Sequence, residues 1–322
     1  MFWAYWRFAA ERLRILIARL EGRPSPWTHD EVLAQHRFTN AYRFSDRVSQ
    51  FLISHVVGDE ATSVQDAIFR ILLFRTFNRI EIWQTLCSEL GEPGSERFDY
   101  DAAAALLDGI VDSGGRLYSA AYIVPPVRSH RGPGAPKHQG HLAWLESVVV
   151  PKLPMIARAD SMQSAFQAFR QLPGIGSFLA YQYAVDLGYG HAVRLSEDEF
   201  VEAGPGAREG IRRCFEEDVS GGDALIIAHA AAHQDRFFAE VEEEFPRLGG
   251  RPLQLIDCQN LFCEVAKYAR VAFPASSRPG DRTRIKQRYA TDPTPLPPLR
   301  WPPGWAPPTE PLPGMRCSDL RS

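Results

Sequence analysis

The sequence predicts a mostly α-helical protein, and three observations support this fold class. Apolar residues recur at three- and four-residue steps along most of the chain, which is the spacing of one buried helix face. Alternating β-branched residues are scarce, and residues 121–124 form the best short strand candidate. The composition, with 45% hydrophobic and 23% charged residues, is that of a globular chain able to bury a core.

The helical pattern can be followed in order from residue 2. The first apolar stripe spans 2–20 and is ended by Pro24 and Pro26, because proline cannot continue a helix. Each later predicted helix is a periodic apolar run bounded by breakers or polar caps. These runs lie at 29–36, 40–57, 63–90 (as one helix or two), 100–113, 141–150, 161–171, 177–188, 206–217, 222–245 and 256–271.

Two segments interrupt the helical pattern. Residues 125–140 are rich in proline and glycine and carry basic side chains, so they predict either a functional loop or a solvated connector. From residue 273 the chain is basic and then dense in proline, which predicts an extended or disordered proline-rich tail. The sequence therefore predicts a helical body at 1–272 and a tail at 273–322. The basic residues near the start of the tail are Arg282, Arg284, Lys286 and Arg288.

Charge, cysteine usage and hydropathy exclude several classes of protein. A net charge of −3 argues against a uniformly basic DNA-binding surface and leaves room for a local basic groove. The five cysteines include no C-x-x-C pair, so no zinc ribbon, iron–sulfur loop, metal or other cofactor is predicted. No apolar run reaches membrane-spanning length and no signal peptide is recognisable, so we expect a cytoplasmic protein. The absence of a G-x-x-x-x-G-K-S/T phosphate loop argues against a nucleotide kinase.

A glycine hairpin opens the helix predicted at 177–188. Residues 172–176 read Leu-Pro-Gly-Ile-Gly, and the two glycines allow a tight turn that exposes backbone N–H groups. The start of the following helix adds partial positive charge, which favours a phosphate. The pattern is typical of a helix-hairpin-helix element that grips a DNA backbone, and an ordinary glycine turn between packed helices is the alternative. The predicted DNA contacts are Gly174, Ile175, Gly176 and Ser177.

A carboxylate follows this hairpin at a spacing used by one class of base-excising enzymes. Residues 198–201 read Asp-Glu-Phe-Val and resemble the D-x-H-V pattern of the helix-hairpin-helix DNA glycosylases, without its histidine. The resemblance implies that Asp198, or the adjacent Glu197, stabilises positive charge on the sugar and orients a water. An acidic helix cap is the alternative. Strand-cutting members carry a lysine where this chain has Phe178, so the resemblance implies a monofunctional enzyme that leaves an abasic site.

Further blocks of sequence resemble one particular family. They look like the DNA base hypermodification proteins, which include the α-glutamyl/putrescinyl thymine pyrophosphorylases, the amino acid:DNA transferases and the helical domain of hydroxymethyluracil DNA kinases. They are also similar to anti-phage DNA glycosylases that excise glucosylated hydroxymethylcytosine. The resemblance covers about residues 1–272. The blocks lie at 26–28, 36–43, 46–47, 49–50, 74–78, 174–186, 203–207 and 260–270.

A polar stripe on the helix predicted at 40–57 offers groups for reading a modified base. The stripe residues recur at three- and four-residue steps, and their side chains can donate to and accept from hydroxyls or charges on the base. A solvated, salt-bridged helix face is the alternative, and a satisfied structural amide is the alternative for Asn78. The predicted base pocket is Asn40, Arg43, Asp46, Arg47 and Asn78.

Two cations outside the hairpin are predicted as further DNA contacts. Arg208 follows the glycine-rich block at 203–207, which opens a helix and offers a second phosphate site. Lys267 lies three residues after Glu264, and a routine surface pair is the alternative for it.

These observations lead to one principal hypothesis and two alternatives. The principal hypothesis is a monofunctional DNA glycosylase that flips out and excises a modified pyrimidine from phage DNA as anti-phage defence, and the expected modification is a glucosylated hydroxymethyl group. Its partner is double-stranded DNA carrying modified bases, with neither a membrane nor an obligate protein partner. The first alternative is a transferase that attaches an amine or amino acid to an activated hydroxymethylpyrimidine. The second is a non-catalytic DNA-binding module.

Overall fold

The computed structural model describes residues 1–119, 136–215, 222–277, 280–290, 292 and 294–314. Within these ranges the chain is helical and has no β-strand, which confirms the mostly α fold class. An isolated antiparallel bridge joins His36 and Arg288. The predicted strand at 121–124 and most of the loop at 125–140 lie outside the described residues. In the part of the chain that is described, no helix is long and apolar enough to span a bilayer.

The α-helices follow the predicted order, and several predicted runs are divided. They are α1 (Phe2–Leu20), α2 (Glu31–Gln35), α3 (Arg47–His55), α4 (Val64–Phe77), α5 (Ile80–Leu90), α6 (Tyr100–Asp112), α7 (Lys137–Trp144), α8 (Leu153–Ile156), α9 (Met162–Arg170), α10 (Ser177–Leu187), α11 (Pro205–Cys214), α12 (Asp223–Ala232), α13 (Gln234–Glu240) and α14 (Leu255–Ala272).

Two predicted helices are each divided at one residue. The run at 63–90 becomes α4 and α5 because Asn78 adopts the left-handed conformation, with φ of 51°. Asparagine tolerates this conformation better than most residues. The Asn78 N–H donates to the carbonyl oxygen of Phe74 (2.6 Å) and so closes α4. The run at 222–245 is divided into α12 and α13 at His233.

The predicted helix at 40–57 is wrong over its first seven residues, since α3 begins only at Arg47. Before it the chain forms a loop and a single 3-10 turn, Arg43–Ser45. The cause is local, because the backbone N–H of Asn40 donates to the Asp46 carboxylate (2.8 Å) and not to a helical carbonyl. The expected single polar stripe therefore does not exist. The residues affected are Asn40, Arg43, Asp46 and Arg47.

The chain divides into two compact units. Unit 1 consists of Met1–Asp46, Phe200–Trp301 and Ala306–Ser322, and it contains α1, α2 and α11–α14. Unit 2 consists of Arg47–Glu199 and Pro302–Trp305, and it contains α3–α10.

The core of unit 1 is built on aromatic side chains of α1. Trp6 stacks on Phe237 of α13, with ring centroids 5.2 Å apart. Tyr5 packs on Phe262 of α14 at 4.4 Å, and its hydroxyl donates to the carbonyl oxygen of Cys258 (3.2 Å). Tyr5 and Trp6 are therefore core residues of unit 1.

Parts of the proline-rich segment also belong to unit 1. Ile285, Leu299 and Leu312 are buried. The Trp301 ring lies edge-on to Phe44, with centroids 5.4 Å apart. These contacts give the segment apolar anchors among the residues that the structure describes.

Two glycines let α11 approach α14 closely. A Cβ atom on Gly210 would lie 1.9 Å from the carbonyl oxygen of Phe262, and one on Gly206 would lie 2.3 Å from the Cys263 sulfur. No side chain fits in that space. Gly206 and Gly210 therefore serve helix packing, and the phosphate contact predicted at Arg208 stays a prediction.

Gly210→Ala is expected to lower the free energy of unfolding by about 1–3 kcal/mol, because an added methyl group overpacks the α11–α14 contact. The matched control is Gly109→Ala on α6, where the exposed glycine has no neighbour within 4 Å of an added Cβ. Alanine should raise stability there by about 0.5–1 kcal/mol. Urea unfolding of both variants measures the difference. Wild-type stability of Gly210→Ala would contradict the close packing.

Unit 2 is built around two helices that are buried on every side. All residues of α4 from Ala67 to Phe77 are buried, as are all residues of α10 from Leu179 to Leu187. α9 packs beside α10, and its Phe169 ring lies edge-on to Tyr183 at 5.8 Å. Charged residues within such helices must find partners inside the protein.

Candidate functional site

A cluster of charged side chains lies half-buried in unit 1, and Arg12 of α1 is its organising cation. Its guanidinium donates to the carbonyl oxygens of Thr39 (3.0 Å) and Phe38 (3.2 Å) and to the side-chain oxygen of Asn40 (3.0 Å). The Asn40 side-chain amide in turn donates to the carbonyl oxygen of Ser45 (3.0 Å). These bonds hold the loop before α3 in one conformation.

A carboxylate of α14, that of Glu264, also bonds to this loop. Glu264 accepts from the backbone N–H of Thr39 (3.0 Å) and from the Lys267 ammonium (3.3 Å). The same ammonium donates to the carbonyl oxygen of Arg37 and lies 4.6 Å from the Phe38 ring centroid. Lys267 is thus held among three kinds of partner, and Glu264 is a structural anchor of the loop as well as its ion-pair partner.

Asp46 is the carboxyl group of this cluster with the most altered acidity. Burial raises the pKa of Asp46 to about 7, and the negative charge of Glu264 adds to that rise. The Asn40 N–H, Arg12 and Arg43 act in the opposite direction. Groups with pKa values near neutrality in partly exposed positions are candidates for acid–base catalysis.

Arg43 connects the loop before α3 to the start of α14. Its backbone N–H donates to Asp257 of α14 (2.7 Å), and the side chain is buried. Burial raises the pKa of Asp257 to about 6, against the effect of the backbone N–H groups of Gln254 and Arg43. Asp257 is thus a second buried carboxyl group with raised pKa, at the start of α14.

The two carboxyl groups predict a pH-dependent stability. The ordinary pKa is 3.8, and the raised values of about 7 for Asp46 and about 6 for Asp257 mean that the folded protein keeps protons the unfolded chain has released. Their contribution to stability is therefore present at the acidic end and falls as the pH rises from about 4 to about 7. Urea unfolding should show this fall, with a shallower slope in Asp46→Asn. An unchanged slope in the variant would contradict the raised pKa.

A cleft of about 520 Å³ opens on unit 1, and the Phe38 ring links its wall to Lys267 of this cluster. Phe8 and Tyr268 line it, and both rings contact Phe38, at 5.4 and 6.2 Å. Phe38 in turn lies under the Lys267 ammonium. The cleft has the volume of a small-molecule pocket, and its wall combines the half-buried Tyr268 ring with charged side chains.

The glycine hairpin lies in unit 2 as a tight turn between α9 and α10. Gly174 has φ of 88°, and Cβ atoms on Gly174 and Gly176 would meet nothing within 4 Å. The turn is held from behind, because Trp144 donates to the carbonyl oxygen of Pro173 (3.1 Å) and Arg170 to that of Ile175 (2.9 Å). Gly174 and Gly176 are exposed, whereas Ile175 is buried and Ser177 is half-buried.

The two predicted catalytic carboxylates have different surroundings. Asp198 is exposed in a turn, where the Ser196 hydroxyl donates to its carboxylate. Glu197 is 2% exposed. Neither caps a helix, because α11 begins later, at Pro205. The catalytic role inferred for Asp198 or Glu197 stays a prediction.

Asn78 belongs to a buried network in unit 2. Arg75 donates to both carboxylate oxygens of Asp186, at 2.6 and 2.8 Å, and to the side-chain oxygen of Asn78 (2.9 Å). The Asn78 amide donates to the Ser119 hydroxyl (3.0 Å). The pair of Arg75 and Asp186 links the two buried helices α4 and α10. In the sequence, each member of this pair stands out as a charged residue inside an otherwise apolar run.

The remaining predicted contacts are exposed cations. Arg47 is exposed at the start of α3 in unit 2. Arg208 on α11 in unit 1 is 57% exposed and pairs with Glu202 (3.3 Å) and Asp223 (3.6 Å). Arg12 was not predicted as a site residue. An arginine on the apolar face of the first predicted helix was the feature that could have indicated it.

Residues 1–278 match the family described as the helical domain of 5-hmdU DNA kinase. The chain belongs to this family. A curated relative, the 5-hmdU DNA kinase of Bacillus phage SP10, is 26% identical to it over 313 residues. The alignment covers 89% of this chain and 48% of the relative, so the chain spans about half the length of that protein. No solved structure matches the chain.

The family agrees with the DNA base hypermodification group that the motifs suggested. Both matches carry the name of an enzyme of 5-hmdU DNA, and neither is a DNA glycosylase. The match favours base modification over base excision. The helix-hairpin-helix glycosylase fold remains a prediction.

Proposed function

We propose that the chain is a transferase that modifies a hydroxymethylpyrimidine in DNA. An amine displaces the activated oxygen, with pyrophosphate as leaving group, at the hydroxymethyl carbon of the base. The observation that carries the proposal is the match of residues 1–278 to the helical domain of 5-hmdU DNA kinase. Within this segment, the half-buried Asp46 carboxyl group near Glu264 and Arg12 is the candidate base.

The chemistry needs a base near neutral pH. An amine attacks carbon only after its ammonium form has lost a proton, and the new C–N bond forms as the C–O bond to pyrophosphate breaks. The electron pair of that bond leaves with pyrophosphate, and Asp46 takes the proton released by the amine. A carboxylate with a pKa near the working pH is suited to this transfer.

Cations of the same cluster oppose the negative charge that develops on the leaving oxygen. Lys267 is the more accessible of them, with 16% of its side chain exposed. Arg12 is held by carbonyl oxygens and Asn40, so its charge is fixed in position. Fixed charge in a partly desolvated site stabilises developing charge more strongly than a solvated cation does.

The cleft of unit 1 supplies a place for a planar base. The half-buried Tyr268 ring is proposed to stack on the base. This contact offsets part of the cost of unstacking the base from duplex DNA. In unit 2, the exposed turn of Gly174 and Gly176 is proposed to hold a DNA phosphate, as is Arg208 in unit 1.

Phosphorylation is not proposed for this chain, although its relative is named a kinase. The sequence contains no G-x-x-x-x-G-K-S/T motif to hold a nucleoside triphosphate. The proposed substrate is therefore a hydroxymethyl group that has already been activated by phosphorylation.

The test uses duplex DNA whose 5-hydroxymethyluracil bears a pyrophosphate ester, incubated with the protein and a primary amine. Mass spectrometry of the nucleosides and an assay of released pyrophosphate measure transfer, and alkali treatment detects abasic sites. We expect equal amounts of pyrophosphate and aminated nucleoside, and intact strands after alkali. Abasic sites would instead support excision, and binding without either product would support a non-catalytic module. Either result would contradict the proposed transferase activity.

Asp198→Asn distinguishes transfer from excision at a single residue. Asp198 is exposed and outside the Asp46 cluster, so we expect its replacement to change the amount of aminated nucleoside by less than about twofold. A glycosylase would respond differently, since loss of the catalytic carboxylate lowers excision by about 10²–10⁴-fold. The same nucleoside and alkali assays measure both outcomes. A loss of amine transfer in Asp198→Asn would contradict the assignment of catalysis to Asp46.

A further inference from the structure

Residues 280–290 of unit 1, here called the basic strap, present a row of exposed cations. Arg284 and Lys286 are exposed on either side of Ile285, which is buried. Thr283 and Gln287 are exposed as well, so Ile285 is the one buried residue between Arg282 and Arg288. The strap therefore directs cations outward while an apolar residue anchors it. Its exposed cations are Arg282, Arg284, Lys286 and Arg288.

The strap is held at both ends by bonds that do not use these cations. At one end, the backbone N–H of Arg37 donates to the carbonyl oxygen of Gln287 (3.1 Å), and that of Tyr289 donates to Gln35 (2.9 Å). At the other end, Asp281 accepts from two arginines of α11, with distances of 2.6 and 3.3 Å. The cations are thus available for a partner without loss of the anchor.

The strap cations have no acidic partner among the residues that the structure describes. Arg288 donates to the neutral side chain of Gln35 (3.2 Å), and none of the other three lies in an ion pair. The strap holds four cations against the single carboxylate of Asp281, in a chain whose net charge is −3. An exposed concentration of one charge in an otherwise acidic protein marks a surface for an anionic partner.

His36 lies beside the strap, and positive charges near it affect its pKa. Its side chain is buried, and burial together with the positive charges of Arg288 and Lys267 lowers its pKa. His36 therefore lies near a cation of the strap, Arg288, and near Lys267 of α14.

We propose that the basic strap binds the phosphodiester backbone of DNA. The row of exposed cations can neutralise backbone phosphates whichever bases they carry. Contacts of this kind position a protein on DNA without reading its sequence. The inference rests on the proposed function in taking DNA as the partner, and it adds the surface that holds it.

The experiment measures binding of the full chain to an unmodified 20-base-pair duplex by fluorescence anisotropy over a series of salt concentrations. The test variant changes all four strap cations to glutamine. Each lost phosphate contact lowers the slope of log affinity against log salt by about 0.9, so we expect the slope to fall by about 2–4. The control variant removes the same charge from exposed arginines elsewhere and should keep the wild-type slope. Its residues are Arg23, Arg97, Arg116 and Arg236.

Several results would overturn the proposal. One is a wild-type slope in the strap variant, and another is an equal fall in the strap and control variants, which would reflect net charge alone. Loss of binding to phosphatidylserine vesicles with DNA binding retained would assign the strap to a membrane surface. If the fourfold variant fails to fold by circular dichroism, the double variant Arg284→Gln/Lys286→Gln leaves both anchors intact and should lower the slope by about 1–2. Because the duplex carries no substrate base, failure here leaves the transfer assay unaffected, and failure of transfer leaves this assay unaffected.

Discussion

Replacing Asp46 with asparagine is expected to lower the rate of amine transfer by about 10²–10⁴-fold, the usual effect of losing a general base. Asparagine keeps the shape of the side chain and cannot accept the proton released by the amine. The wild-type rate should rise with pH up to about 7 and then level off, following the pKa of Asp46. Pyrophosphate release over a pH series measures both effects.

The same variant separates catalysis from folding. Asparagine resembles the protonated form of Asp46, which the folded protein favours at pH values below about 7, so Asp46→Asn should unfold at or above the wild-type urea concentration near neutral pH. The matched control is Asp235→Asn, a change at an exposed carboxylate of unit 1 that pairs with Arg247. Its transfer rate should stay within about twofold of wild type. Full activity of Asp46→Asn would remove Asp46 from the mechanism.

Asp186→Asn is expected to lower the free energy of unfolding by about 3–5 kcal/mol, because it leaves a buried guanidinium without its counter-charge. Both side chains of the Arg75–Asp186 pair are almost completely buried, and Asp186 accepts two hydrogen bonds from Arg75. Water cannot take the place of the carboxylate. Urea unfolding followed by circular dichroism measures the loss.

A surface ion pair provides the control for this prediction. Arg236 and Glu240 pair at 2.6 Å on α13, and the arginine side chain is 71% exposed. Glu240→Gln should change stability by less than about 0.5 kcal/mol, as is usual for exposed pairs. The double variant Arg75→Met/Asp186→Leu should be less destabilised than the sum of its single changes, since it removes both buried charges. A loss below about 1 kcal/mol in Asp186→Asn would show that the pair is not a main support of unit 2.

Local sequence signals predicted the elements that depend on short-range physics. The period of apolar residues located most helices, and Gly174 and Gly176 predicted a tight turn before α10, which the structure contains. The same period failed at 40–57, because side chains of Asn40 and Asp46 compete for backbone groups that a helix would need. Periodicity alone does not register that competition.

The candidate site depends on contacts between distant parts of the chain. Asn40 and Asp46 were predicted together for the wrong reason, as one helix face, and the structure brings them together through a loop. Arg12 and Glu264 come to that loop from helices more than two hundred residues apart in sequence. Nothing within a short window relates α1 to α14, so their meeting could not be inferred from spacing.

The sequence by itself determined the helical class, the positions of most helices and the family to which the chain belongs. These follow from local periodicity, breakers and short motifs, each of which acts within a few residues. Tertiary structure alone decided which charges are buried. In the unfolded chain all of these charged side chains are exposed to water. Folding removes water from some of them, and for this reason the pKa of Asp46 rises to about 7 and the Arg75 guanidinium requires the Asp186 carboxylate as its partner.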